Sequence, residues 1–157
     1  MTHQHLMVGD QAPEFTLINQ QDKKITPMAM DGKRILLSFH PLAWTPVCEI
    51  QMRTLEIKKT IFDEFEVIAF GISVDSAQSK KAWATSMDLK NTNLLADFWP
   101  HGEIAEKFGL FIKDMGFSER ANILIGLDRT IEWIKVYELR QVPDIEEIIH
   151  FISSKKQ

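Results

Sequence analysis

Cysteine is almost missing from this chain: 157 residues carry one, Cys48. That excludes an internal disulfide framework and fits a reducing, cytoplasmic setting. No His/Cys cluster has zinc spacing, so no metal is expected. No stretch approaches the roughly 18 apolar residues of a membrane span, and the start, Met1 to His5, lacks the basic and apolar regions of a signal peptide. His3 and His5 read as solvated terminal residues. Runs of positive charge are missing as well. Lys and Arg number 18 against 22 Asp and Glu, for a net charge of −4, which excludes the electrostatic footprint of a nucleic-acid or anionic-membrane partner. No glycine-rich loop precedes Gly32-Lys33, so that pair is not a phosphate cradle. Ser38 and Ser73 lack the flanking glycines of a nucleophile elbow. No organic cofactor is expected. Repeats, low-complexity tracts and linkers are absent, and one domain over residues 1–157 is the expectation.

What is present is an ordinary globular composition, 45% hydrophobic and 25% charged. Apolar runs at 34–39, 66–73 and 94–96 read as buried strands. The helix begun at Pro46 is expected to reach about Phe62, with Val47, Ile50, Ile57 and Ile61 as its core stripe and Gln51 and Arg53 outside it. Asp75 or Ser76 caps a helix to about Met87, and Gly109 stops a short one over 103–108. Strands at 121–127 and 130–138, joined by Asp128-Arg129, suggest a hairpin, and a last helix starts at Pro143-Asp144. Early strand–helix alternation followed by a hairpin predicts an α/β fold: a mixed central β-sheet flanked by helices on both faces.

The chemistry concentrates at Cys48. Pro41 ends a buried strand, Thr45 occupies a helix N-cap position, and Pro46 takes the first helical position, where a missing N–H costs nothing. Cys48 then falls in the first turn, where free N–H groups and the helix dipole favour a thiolate. A lone cysteine is more often a small buried hydrophobe, and only the combination of residues reverses those odds. The Thr45 hydroxyl, one turn away, is a candidate donor to a small oxygen ligand. Pro41 is a candidate shield against bulk water. Arg120, before an apolar strand, is a candidate cation for the sulfur, with Arg129 and Arg140 as rivals. The pairs Asp63-Glu64 and Glu146-Glu147 read as solvated helix faces. Trp44, Trp83, Trp99 and Trp133 read as core or interface residues.

Pro41-x-x-x-Thr45-x-x-Cys48 resembles the active-site pattern of peroxiredoxins, and Val8 to Leu17 resembles their opening. Arg120 lies where that family carries an arginine just before a strand. Phe39 to Thr45 and Asp97 to Gly102 look like the one-cysteine AhpE group of the family. The resemblance implies a thioredoxin-like fold and a thiol-dependent peroxidase acting on hydrogen peroxide and organic hydroperoxides. It makes Cys48 the thiolate that becomes a sulfenic acid. Thr45 and Arg120 would polarise and position the peroxide, and Pro41 would shield the site, with no metal or cofactor. Relatives associate through loops near the site, which implies a homodimer or larger homo-oligomer.

Departures narrow the reading. Thr45 stands where a dithiol oxidoreductase needs its first cysteine. Arg53 stands where some relatives carry a resolving cysteine. An external thiol, from a thioredoxin-like protein or a low-molecular-weight thiol, must therefore reduce Cys48, or two chains pair through it. Gln51 stands where many relatives have glutamate, and His40 replaces a frequent aromatic. Two other functions stay open at this point: a peroxide-sensing relay with little turnover, and a thioredoxin-fold scaffold with an inert cysteine.

Overall fold

A computed structural model describes residues 4–155. Seven strands form one mixed sheet in the order β2-β1-β5-β4-β3-β8-β9. These are β1 (Leu17–Asn19), β2 (Lys24–Ile25), β3 (Arg34–Phe39), β4 (Val67–Ser73), β5 (Asn93–Ala96), β8 (Arg120–Ile125) and β9 (Ile131–Tyr137). The central strands β3, β4 and β5 pair in parallel, and the flanking pairs are antiparallel. This is the mixed sheet expected from the pattern. A two-stranded ribbon, β6 (Phe111–Ile112) with β7 (Phe117–Ser118), had no sequence expectation, because two-residue strands leave no periodicity to read.

Alternation along the strands separates two cores. Ile35, Leu37 and Phe39 of β3, Phe70 and Ile72 of β4, and Ala121, Ile123 and Ile125 of β8 pack with Ile104, Ala105 and Phe108 around α4 (Glu103–Lys107). The opposite face carries Leu36, Val67, Leu94 and Leu124, covered by α1 (Pro46–Ile57), α2 (Lys59–Glu64), α3 (Ala77–Ser86) and α5 (Ile145–Lys155). Helices therefore flank the sheet on both faces. Ser76 caps α3, its hydroxyl accepting from Ser79 N at 3.1 Å, and Ile145, Ile148 and Ile152 are the buried side of α5.

Two expectations about the Cys48 helix need correction. It does not run unbroken to Phe62: Lys58 leaves helical geometry and divides it into α1 and α2. Its core stripe is also rotated. Ile50 and Ile57 are exposed, whereas Cys48, Gln51, Met52 and Leu55 are buried. Hydrophobicity misplaced the face because polar Gln51 turns inward, toward polar partners the sequence did not reveal. Gly71, beneath α1, fits this face by having no side chain. A Cβ there would collide with Met52 Sδ and lie 3.3 Å from His40 Cε1. His3 lies outside the described residues, and His5 Nδ1 contacts Leu6 O at 2.6 Å.

Candidate active site

The first turn of α1 presents Cys48 to the ends of β3 and β8. Its side chain is fully buried. Arg120, at the start of β8, directs one guanidinium N–H to Cys48 Sγ at 3.2 Å and, from the same nitrogen, one to Gln51 Oε1 at 2.8 Å. Its other nitrogens donate to Leu139 O at 2.6 and 3.1 Å, fixing the plane of the fork. Gln51 completes the support, donating to Ser38 Oγ at 2.7 Å and Phe39 O at 3.1 Å. A sulfur facing a fixed cationic donor is better stabilised as an anion than as a neutral thiol.

Of the rival arginines, Arg129 is committed to structure, donating to Met28 O, Met30 O and Lys33 O. Arg140 lines a cavity of about 260 Å³ together with Pro41, Thr45 and Arg120. Leu42, Val47, Phe117 and Leu139 make much of that lining apolar. The structure thus brings Pro41, Thr45, Cys48 and Arg120 together.

Thr45 departs from its expected capping role. It holds the N-cap backbone position with extended geometry, but its side chain does not cap. The hydroxyl instead donates to Leu42 O at 2.8 Å, tightening the loop before α1. The first-turn N–H groups consequently have no side-chain cap. Trp44 takes a left-handed φ of +72°, which costs about 1–2 kcal/mol, and its indole N–H donates to Ser79 Oγ at 3.0 Å. That bond ties the loop to α3. Trp83 is core, while Trp44 and Trp99 are exposed.

Sequence reasoning missed Ser38 and Lys80 and assigned Gln51 and His40 only as family variants. His40 and Lys80 are both fully buried, with Nε2 and Nζ 3.1 Å apart. Parity from Leu36 through Ser38 would have put His40 on the Cys48 face. No pattern in α3 marks Lys80 as buried.

The sequence model of the AhpC/TSA family matches residues 8–134. The chain belongs to the AhpC/TSA family. As a peroxiredoxin it is 32% identical over 140 residues to "Alkyl hydroperoxide reductase E" of Mycobacterium tuberculosis, covering 88% of this chain and 91% of that one. It is 34% identical over 150 residues to "Putative peroxiredoxin bcp" of Haemophilus influenzae, covering 92% and 94%. Among solved structures, the reduced 2-Cys peroxiredoxin of Plasmodium vivax superposes with a TM-score of 0.82 at 26% identity, over 93% of this chain and 80% of that one. Peroxidoxin BcpB of Mycobacterium tuberculosis superposes with a TM-score of 0.85 at 19% identity, over 98% and 100%. The peroxiredoxin fold, thioredoxin-like, is thereby shared.

Proposed function

We propose that this peroxiredoxin reduces hydrogen peroxide and organic hydroperoxides through Cys48, and the Arg120 N–H directed at Cys48 Sγ is the observation that carries the reading. The Cys48 thiolate attacks the distal peroxide oxygen. The S–O bond forms as the O–O bond breaks, sulfur losing two electrons and the leaving alkoxide or hydroxide taking a proton. Arg120 and the first-turn N–H groups stabilise charge passing to oxygen, and Thr45 orders the loop that carries Pro41 across the site. An external thiol then attacks the sulfenic acid, releasing water and forming a mixed disulfide. A second thiol frees Cys48 and leaves as the oxidised disulfide. The partly apolar cavity suits a hydroperoxide with a carbon tail.

Exposed Phe98 and Trp99, with Trp44 on the loop before α1, support a homodimer formed beside the site. The lone thiol, which must be kept reduced between turnovers, supports a cytoplasmic setting. No described helix is long and apolar enough to cross a membrane, and residues 1–157 are read as one domain. Because no second cysteine is present, a sensing relay with little turnover is the second reading. Steady-state turnover with thioredoxin or a small thiol separates the two.

Stopped-flow oxidation by peroxide, followed by tryptophan fluorescence and by mass for one added oxygen, tests the assignment. Cys48→Ser is expected to keep the fold and lose peroxide consumption, by at least about 10³-fold. A fully active Cys48→Ser protein would sink it.

A further inference from the structure

Behind Cys48 lies a second polar arrangement that the reaction above does not use. His40 follows β3, on the side of the sheet that Leu36 and Ser38 face. Its Nδ1 lies 3.3 Å from Ser38 O and its Nε2 3.1 Å from Lys80 Nζ. A carbonyl only accepts, so Nδ1 carries the ring proton and Nε2 is left as an acceptor for an ammonium. Burial first, then the Lys80 and Arg120 charges, pushes His40 well below its ordinary value and keeps it neutral.

Lys80 is fully buried on α3, with Nζ 5.8 Å from the Trp83 ring centroid. It forms no ion pair among the described residues. The negative groups facing it come from three other elements: Asp75 before α3, Asp97 after β5, and Cys48 on α1. Asp75 is itself engaged, accepting from Ser73 Oγ at 2.6 Å and Ala43 N at 2.7 Å. Asp97 accepts from Ile104 N and Ala105 N. An ammonium without a close carboxylate is costly in such a place. Cys48 is the one negative neighbour whose charge comes and goes during turnover.

We propose that Lys80, seated on His40, is a positioning residue for Cys48: a second buried cation, approaching from the β4–β5 side of β3 while Arg120 approaches from the β8 side, that stabilises the anionic sulfur between turnovers. Oxidation removes the sulfur's charge, so Lys80 then holds its proton less firmly. The coupling is reciprocal, because each charge shifts the other's equilibrium by the same factor. The inference rests on the peroxidase reading of Cys48 and deepens it. Both readouts below are taken without peroxide, so failure of that reading would leave them standing.

The first readout is the rate of Cys48 alkylation by iodoacetamide against pH. In Lys80→Met the pH of half-maximal rate is expected to rise by about one unit, a tenfold loss of thiolate on the rising limb. The double variant His40→Phe/Lys80→Met, which replaces the polar pair by apolar volume, is expected to show the same rise and guards against misfolding of the single one. The second readout uses the native lysine: its side-chain NMR titration, near pH 7 by virtue of burial, is expected to fall by a similar amount in Cys48→Ser. Alkylation profiles that overlay wild type in a folded variant, or a Lys80 titration indifferent to Cys48→Ser, would overturn the proposal.

Discussion

The two faces of the same strands are built on opposite terms. Toward α4, β3 shows Ile35, Leu37 and Phe39, and β8 shows Ala121, Ile123 and Ile125, without a polar side chain among them. Toward α1, the same strands show Leu36 and Leu124 and then Ser38, His40, Asn122 and Arg120, all buried, met from above by Gln51 and Lys80. The polar groups gather where the C-terminal ends of the parallel strands meet the start of α1. Burying them costs free energy unless each finds a partner. The apolar face therefore holds the sheet together, and its neighbour gives up cohesion to keep a cation, an amide and a sulfur in fixed relation. Such a division is expected where local sequence rules are broken for function.

The comparison breaks if damage to the apolar face harms the chemistry directly. Phe108 is fully buried and packs edge-on against Phe15 at 6.0 Å and tilted against Phe39 at 5.5 Å. Phe108→Ala is expected to lower unfolding free energy by about 3–5 kcal/mol in urea titration. The peroxide rate constant per folded molecule should stay within about twofold of wild type. A loss of rate in fully folded protein would show that the two faces are coupled.

The converse change strikes the polar face. Arg120→Lys keeps the charge and loses the planar fork that reaches Cys48, Gln51 and Leu139 O together. A drop of about 10²-fold in the stopped-flow rate constant is expected, with a far smaller change in stability than Phe108→Ala produces. A rate near wild type would mean that charge alone suffices, and that the Leu139 and Gln51 contacts are structural only.

Much of the polar face was legible, and its legibility followed chemistry rather than burial. Pro41, Thr45 and Cys48 were read from one short local pattern, whereas Arg120 was separated from Arg129 and Arg140 only by the family resemblance; the fold places all four together. The strands expected at 34–39 and 66–73 were plain because buried parallel strands are continuous apolar runs, and they are observed as Arg34–Phe39 and Val67–Ser73. Gln51 and Lys80 escaped because a polar residue on a helix reads as solvated by default. Only tertiary contact turned them inward, and in turning Gln51 it rotated the whole α1 stripe away from Ile50 and Ile57. Thr45 escaped in part, because a hydroxyl at an N-cap position has more than one backbone partner within reach, and Leu42 O was the one taken.

The smallest expected effect sharpens the comparison at its border. Asp97 is the one buried carboxylate among the described residues, accepting from Ile104 N at 3.0 Å and Ala105 N at 2.9 Å at the start of α4. Burial outweighs those two donors and pushes Asp97 up to about 6, against a value near ~4 in an unfolded chain. Between these values the folded protein holds a proton that the unfolded chain has released, so the Asp97 contribution to stability falls as pH rises through the window. Below it both states are protonated, and above about pH 6 the full cost of the buried charge is present. Lys80, titrating near 7, stays protonated over most of that range. His40, neutral when folded, pushes stability the opposite way, but equally in both proteins. The difference between wild type and Asp97→Asn reports the carboxyl together with its coupling to the Lys80 ammonium. That difference, from urea titrations at pH 4 and 6.5, is expected to move by about 2 kcal/mol against wild type. A constant difference would mean that Asp97 ionises alike in both states and contributes nothing to the pH dependence of stability, so that the apolar face would owe its cohesion to packing alone.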